Sequence, residues 1–119
     1  MDWEKLVNTK MKDWHIKPSP PDERDWPLQA IAEPPAEIPE AVTLEHHFPF
    51  VMDQGKNPYC GGYAGVGIAN SYFWTQGIMP IGGFSPAWLY WQAKEIDGLP
   101  GQDGTTLRAI LQVMHKVGM

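Results

Sequence analysis

Cys60 is the only cysteine in the 119 residues, and Gln54 stands six positions before it in Asp53-Gln54-Gly55-Lys56-Asn57-Pro58-Tyr59-Cys60-Gly61-Gly62-Tyr63-Ala64. A thiolate is a strong nucleophile, whereas a lone buried thiol is a small hydrophobe without chemistry of its own. The surroundings favour the first description. Gly55, Asn57 and Pro58 are turn formers, and a helix-like run begins at the cysteine. That order places the sulfur at a helix N-terminus, where unpaired N–H groups and the positive end of the dipole favour a thiolate. A glutamine amide held just upstream can donate to an oxyanion, together with the cysteine's own N–H.

The stretch resembles the active-site segment of the papain-like cysteine peptidases, in the form written by bacterial and phage members. Val51-Met52-Asp53-Gln54-Gly55 is similar to the family's segment ending in the oxyanion-hole glutamine, and Cys60 falls at the family's spacing from it. Ile38-Pro39-Glu40-Ala41-Val42 looks like the first residues of a mature enzyme. Phe84-Ser85-Pro86-Ala87-Trp88-Leu89-Tyr90 resembles a helix start of the family, and Asp103-Gly104-Thr105-Thr106-Leu107-Arg108-Ala109-Ile110-Leu111 its glycine turn and third helix. Lys17-Pro18-Ser19-Pro20-Pro21-Asp22-Glu23-Arg24-Asp25 looks like the N-terminal lead-in of bacterial members. Taken in order, the resemblance spans roughly residues 17–119.

The resemblance implies Cys60 as nucleophile and Gln54 as oxyanion donor. It implies Gly104 as the backbone edge of a substrate groove, with Asp103 in the same turn. Thr105 and Thr106 would line the pocket for the residue two before the scissile bond, and Tyr59, where the chain departs from the pattern, would narrow the non-primed side or swing out. It implies no metal and no cofactor. The chain departs from the pattern at three places. Gly61 stands where papain has tryptophan, Asn57, Pro58 and Tyr59 replace small residues, and the structural cysteine of the secreted enzymes is absent.

A nucleophile of this kind requires a histidine to take its proton and an Asn or Asp to orient that histidine. In the family both lie about 130–150 residues after the cysteine. The chain's histidines are His15, His46, His47 and His115, and none stands there. His115, beside Lys116 on the polar side of a helical pattern, reads as solvated. His46 and His47 read as a surface pair, since two adjacent histidines without further ligand spacing make a poor metal site.

The expectation is therefore the first part of a longer enzyme, with a mainly α fold. Residues 38–119 would be the left-hand helical domain of the α+β papain-like fold. Residues 1–37 would be a proline-rich N-terminal extension or short pro-segment. A second, β-rich domain carrying His and Asn would belong to the same polypeptide or to a separate chain. The implied activity is cysteine-type endopeptidase action on a peptide or protein substrate, with the 119 residues alone inactive. The alternatives are a non-catalytic papain-like binding or inhibitory module, and one half of a two-chain enzyme.

Composition bounds the partners. The formal net charge is −5 and the basic residues are scattered, which excludes an electrostatic nucleic-acid footprint. No apolar run approaches the ~20 residues of a membrane helix. The polar, acidic start Met1-Asp2-Trp3-Glu4-Lys5 is unlike a signal peptide, so a cytoplasmic protein is expected. One cysteine excludes an internal disulfide.

Seven of the twelve prolines fall between Pro18 and Pro39, which excludes helix or central sheet there and predicts an extended, surface-hugging arm or disorder. Residues 2–12 space Trp3, Leu6, Val7 and Met11 for one face of a short helix. Cys60 to about Gln76 reads as a central helix. Its Gly61, Gly62, Gly65 and Gly67 would let it lie against a second domain, with Ile68, Tyr72 and Phe73 in the core. The competing reading is a glycine loop with a helix from Val66. Ser85 and Pro86 open a helix to Ile96 whose stripe Trp88, Leu89, Trp91 and Ala93 reads as core. Asp103 or Thr105 caps a last helix with Leu107, Ile110, Leu111, Met114 and Val117 inward. Gly118 closes it. An apolar face left without its second domain predicts homo-oligomers.

Overall fold

The computed structural model describes residues 15–78 and 82–118. The expected helix at residues 2–12 lies outside them. In chain order the helices are α1 (Leu28–Ile31), α2 (Cys60–Thr75), α3 (Pro86–Ile96) and α4 (Leu107–Lys116), with a 3-10 turn at Glu45–His47. Strands β1 (Ile16–Lys17) and β2 (Thr105–Thr106) pair in parallel, Ile16 opposite Thr105 and Lys17 opposite Thr106. They are the only strands among the described residues, so the fold is mainly helical.

Local signals account for the ends of these helices. Ser85 accepts the Trp88 N–H at 3.2 Å with Pro86 at the first helical position, the expected start of α3. Thr106 caps α4 by accepting the Ala109 N–H at 3.2 Å, in place of Asp103 or Thr105. Gly77 and Gly118 close α2 and α4 at φ of +70° and +84°. An N–H reaches back five residues at each end, Ile78 to the Phe73 carbonyl and Gly118 to the Val113 carbonyl. α1 is a single turn between Pro27 and Pro34, a helix that the proline-rich composition argues against. It fits because Pro27 stands just before its first residue and no proline falls inside it.

Helix α2 starts at Cys60, so the glycines are helical rather than a loop. Their role is close packing inside this domain. A Cβ on Gly62 would strike the Pro86 carbonyl oxygen, and one on Gly65 would lie 2.8 Å from Leu89 Cδ2 and 2.9 Å from Ile110 Cγ2. Gly62 and Gly65 thus bring α3 and α4 onto α2, rather than a second domain. A Cβ on Gly67 would meet nothing within 4 Å.

The core gathers Val66, Leu89, Ala93, Ala109, Ile110 and Val113, with Met52, Phe84 and Met114 against it. This corrects three expected faces. Ile68 and Tyr72 are 63% and 61% exposed, Trp88 and Trp91 are exposed while Tyr90 is buried, and Leu107, Leu111 and Val117 face outward. α2 is apolar all round, so its pattern carries no inward direction. In α3 and α4 the buried line includes the small residues Ala93 and Ala109 beside Leu89, Ile110 and Val113.

Candidate active site

Asp53, Gln54 and Gly55 form a tight turn ahead of α2. Asp53 Oδ1 accepts the Gly55 N–H at 2.8 Å, and Gly55 sits at φ +60°. Gln54 Nε2 donates to the Asn57 carbonyl at 2.8 Å, and Asn57 Nδ2 returns to the Gln54 carbonyl at 3.4 Å. The turn formers read from the sequence thus fold the loop back on itself. They hold the Gln54 amide by one of its two hydrogens.

Cys60 is the first residue of α2 and a half-buried free thiol. The first intrahelical bond runs from the Tyr63 N–H to the Tyr59 carbonyl at 2.9 Å. The N–H groups of Cys60, Gly61 and Gly62 precede it and have no intrahelical acceptor. An oxyanion forming beside the sulfur meets these donors.

Tyr59 and Gly104 meet through Tyr90, which the sequence marks only as part of a helix. The Tyr59 and Tyr90 rings are 4.5 Å apart, and the exposed Trp91 ring lies 6.3 Å from Tyr59. The Gly104 N–H donates to the Tyr90 hydroxyl at 3.1 Å. Tyr59 therefore stacks along α3 beside Cys60.

Gly104 is buried at φ +83°, and its Cβ position is filled by the His15 carbonyl. Lys94 Nζ donates to the Gly104 carbonyl at 3.0 Å, so both backbone groups of Gly104 are held within the chain. Asp103 is exposed in the same turn. Thr105 is buried, its hydroxyl donating to Asp97 Oδ2 at 2.9 Å and its N–H to the His15 carbonyl at 3.0 Å.

Sequence reasoning misses Lys94 and Asp97. Lys94 Nζ also bonds Asp97 Oδ2 at 2.8 Å and the Leu99 carbonyl at 2.9 Å, using all three of its protons. Asp97 Oδ1 accepts the Leu99 N–H at 2.8 Å. Burial pushes the Asp97 carboxyl up, but the Lys94 ammonium, the Leu99 N–H and the Thr105 hydroxyl outweigh it. The net direction is down. The available signal is Lys94 three residues before an Asp-Gly turn, a spacing that meets on one helix face. Nothing local shows that the pair is buried under the glycine turn.

The N-terminal arm closes the far side. A Cβ on Gly61 would lie 3.1 Å from Ile16 Cδ1, 3.3 Å from Ile110 Cγ1 and 3.5 Å from Thr105 Cγ2. Ile16 fills the space beside Gly61, the residue after Cys60, and leaves little room there for a side chain. Compared with known proteins, the chain matches no family model, no curated protein and no solved structure.

The structure thus brings Cys60, Tyr59, Gly104 and Thr105 into one neighbourhood through Gly61 and Tyr90. It does not bring a histidine into hydrogen bonding with Cys60 among the described residues. His46 and His47 stack at 4.0 Å in the 3-10 turn, which packs on α2, and His115 is exposed on α4. Among the described residues no three His, Cys, Asp or Glu side chains gather to hold a metal ion. No helix among them is long and apolar enough to cross a membrane.

Proposed function

We propose that the chain is the nucleophile-bearing part of a cysteine peptidase with papain-like architecture. The carrying observation is the position of Cys60, first in a sixteen-residue helix and preceded by a loop folded on Gln54. Cys60 Sγ attacks the peptide carbonyl carbon, and the carbonyl pair moves to oxygen. The Cys60 N–H and the second hydrogen of Gln54 Nε2 hold that oxyanion. Collapse expels the amine and leaves a thioester, which water hydrolyses. The proton from sulfur passes to the leaving amine through a histidine on a second, β-rich domain or chain. The buried Lys94–Asp97 pair keeps the Gly104 turn in shape beside the site.

A peptide aldehyde tests the reading, because it forms a reversible adduct with the thiolate whose oxygen needs the same donors. Binding should vanish in Cys60→Ala and weaken in Gln54→Ala. Binding unchanged in Cys60→Ala overturns it. The 119 residues alone should turn over no generic peptide substrate. In an assembled enzyme, Gln54→Ala should lower kcat about a hundredfold or more.

One observation favours a second reading, a non-catalytic binding module. Both backbone groups of Gly104 are taken inside the chain. A peptide that binds with equal affinity to the native protein and to Cys60→Ala would favour that reading.

A further inference from the structure

Two uncovered parts of the chain are complementary in shape and charge. Between Asp25 and Glu33, seven residues in a row carry no charge, Trp26-Pro27-Leu28-Gln29-Ala30-Ile31-Ala32. They include α1, and Trp26, Leu28 and Ile31 are 74%, 70% and 65% exposed. Leu28 and Ile31 stand three apart on its single turn, so both fall on one side of it. Asp25, just before, is tied to the Arg108 guanidinium. From Trp26 to Leu44 no hydrogen bond joins the described chain to α2, α3 or α4. The apolar turn thus stands clear of the body on a fixed root.

The second part is the groove between α2 and α4. It measures about 510 Å3, and Ile68, Tyr72, Met114 and its other lining residues carry no charge. That volume falls within the ~300–1,000 Å3 of ordinary binding pockets. Neither α2 nor α4 contains an Asp or Glu, and the exposed His115 and Lys116 directly follow Met114. The arm has the opposite balance, with seven acidic residues against one arginine from Asp22 to Glu45.

We propose that the groove seats the Trp26–Ile31 turn of a second copy of this chain, and that two copies exchange these turns about a two-fold axis. Docking of a helical turn in a groove needs apolar anchors at i and i+3 and an apolar floor to receive them. Leu28 and Ile31 supply the anchors, and the α2–α4 groove supplies the floor. Glu33 follows the uncharged run and meets the basic rim at His115 and Lys116. Both halves of the match, apolar and electrostatic, lie in one sequence, which makes a second copy the occupant. In its own chain the turn stays out of the groove while Asp25 is held at Arg108. The exchange is closed, since each copy gives one turn and receives one.

Sedimentation equilibrium of the whole chain tests this with two double variants. Leu28→Asp with Ile31→Asp spoils the turn and leaves the groove intact, and Ile68→Glu with Tyr72→Glu does the reverse. All four residues are exposed, so both variants should keep the native unfolding temperature. The native chain should form a dimer as concentration rises, and each variant alone should stay at the mass of one chain. Mixed in equal amounts, the two variants should form a dimer again, because one intact turn still meets one intact groove. A dimer that survives Leu28→Asp with Ile31→Asp overturns the proposal, since the grooves would then be packing on each other. A native chain that keeps the mass of one chain at every concentration overturns it, and so does a mixture that stays there. None of these outcomes depends on peptidase activity of Cys60.

Discussion

Gly104 is the residue on which most contacts of the site converge. Its φ of +83° lies in the left-handed region, where a Cβ costs roughly 1–2 kcal/mol. Its Cβ position is also filled by the His15 carbonyl. Gly101 shares the strained φ, at +71°, with open space around it. Gly101→Ala should therefore lower stability by about 1–2 kcal/mol. Gly104→Ala should cost clearly more and strip hydrogen-exchange protection from the Thr105 amide, which bonds the displaced carbonyl. Equal urea midpoints for the two variants would refute this. Asp97 offers a second check. Its removal in Asp97→Ala leaves Lys94 buried without a counter-charge, which should cost about 3–5 kcal/mol. Because its carboxyl titrates below the ordinary range when folded, its contribution is fully present above the unfolded value near 3.9. It is lost as pH falls through the folded value. The urea midpoint should hold from neutral pH to about 5 and fall below about 4, and Asp97→Asn should lack that part of the fall.

Helix α2 shows how an element is placed by what it lacks. Gly62 and Gly65 carry no side chain where α3 and α4 cross, so Pro86, Leu89 and Ile110 lie on its backbone. Gly65→Ala should force these apart and destabilise by about 1–3 kcal/mol, the usual cost of overpacking a filled core. Gly67→Ala, in open space, should stabilise by several tenths to about 1 kcal/mol through helix propensity. Thermal unfolding of the two variants, moving in opposite directions, checks the packing. The arm's ion pairs differ in weight. The Asp22–Arg24 pair is exposed and Arg24 holds the Asp22 carboxyl well below the usual range. Exposed pairs of this kind contribute little to stability. Arg108 is more shielded, and its guanidinium reaches Pro20 and Asp25, so Arg108→Ala should loosen residues 20–25 while the Ser19 bond to the residue 108 backbone and the β1–β2 pair hold the start of the arm.

The molecule as a whole leaves a large apolar surface. Ile68, Ala69, Tyr72, Phe73, Met114 and Gly118 line a groove of about 510 Å3 between α2 and α4. An exposed apolar surface of this kind drives association. Gel filtration of the chain should show elution that shifts with concentration, and Ile68→Glu with Tyr72→Glu should return it to a single monomer peak without loss of thermal stability. A monomer peak for the native chain at all concentrations would refute this.

Features confined to a turn or two are legible in the sequence alone. The cap at Ser85, the glycine at the end of α4, the loop formers ahead of Cys60 and the helix that opens on it depend on neighbours within a few residues. Hydrogen-bonding and backbone geometry at that range follow from residue type. The inward face of α2 is not legible, because apolar residues surround it and only α3 and α4 select Val66 over Ile68. Nor is the burial of Lys94 with Asp97, or the seat of Ile16 on Gly61, which joins residues 45 apart. Such contacts are set by where elements meet, and the chain's order does not encode that meeting locally. The candidate nucleophile is thus readable from Asp53 to Gly61, while its surroundings are decided by the N-terminal arm and the Gly104 turn closing on it in space.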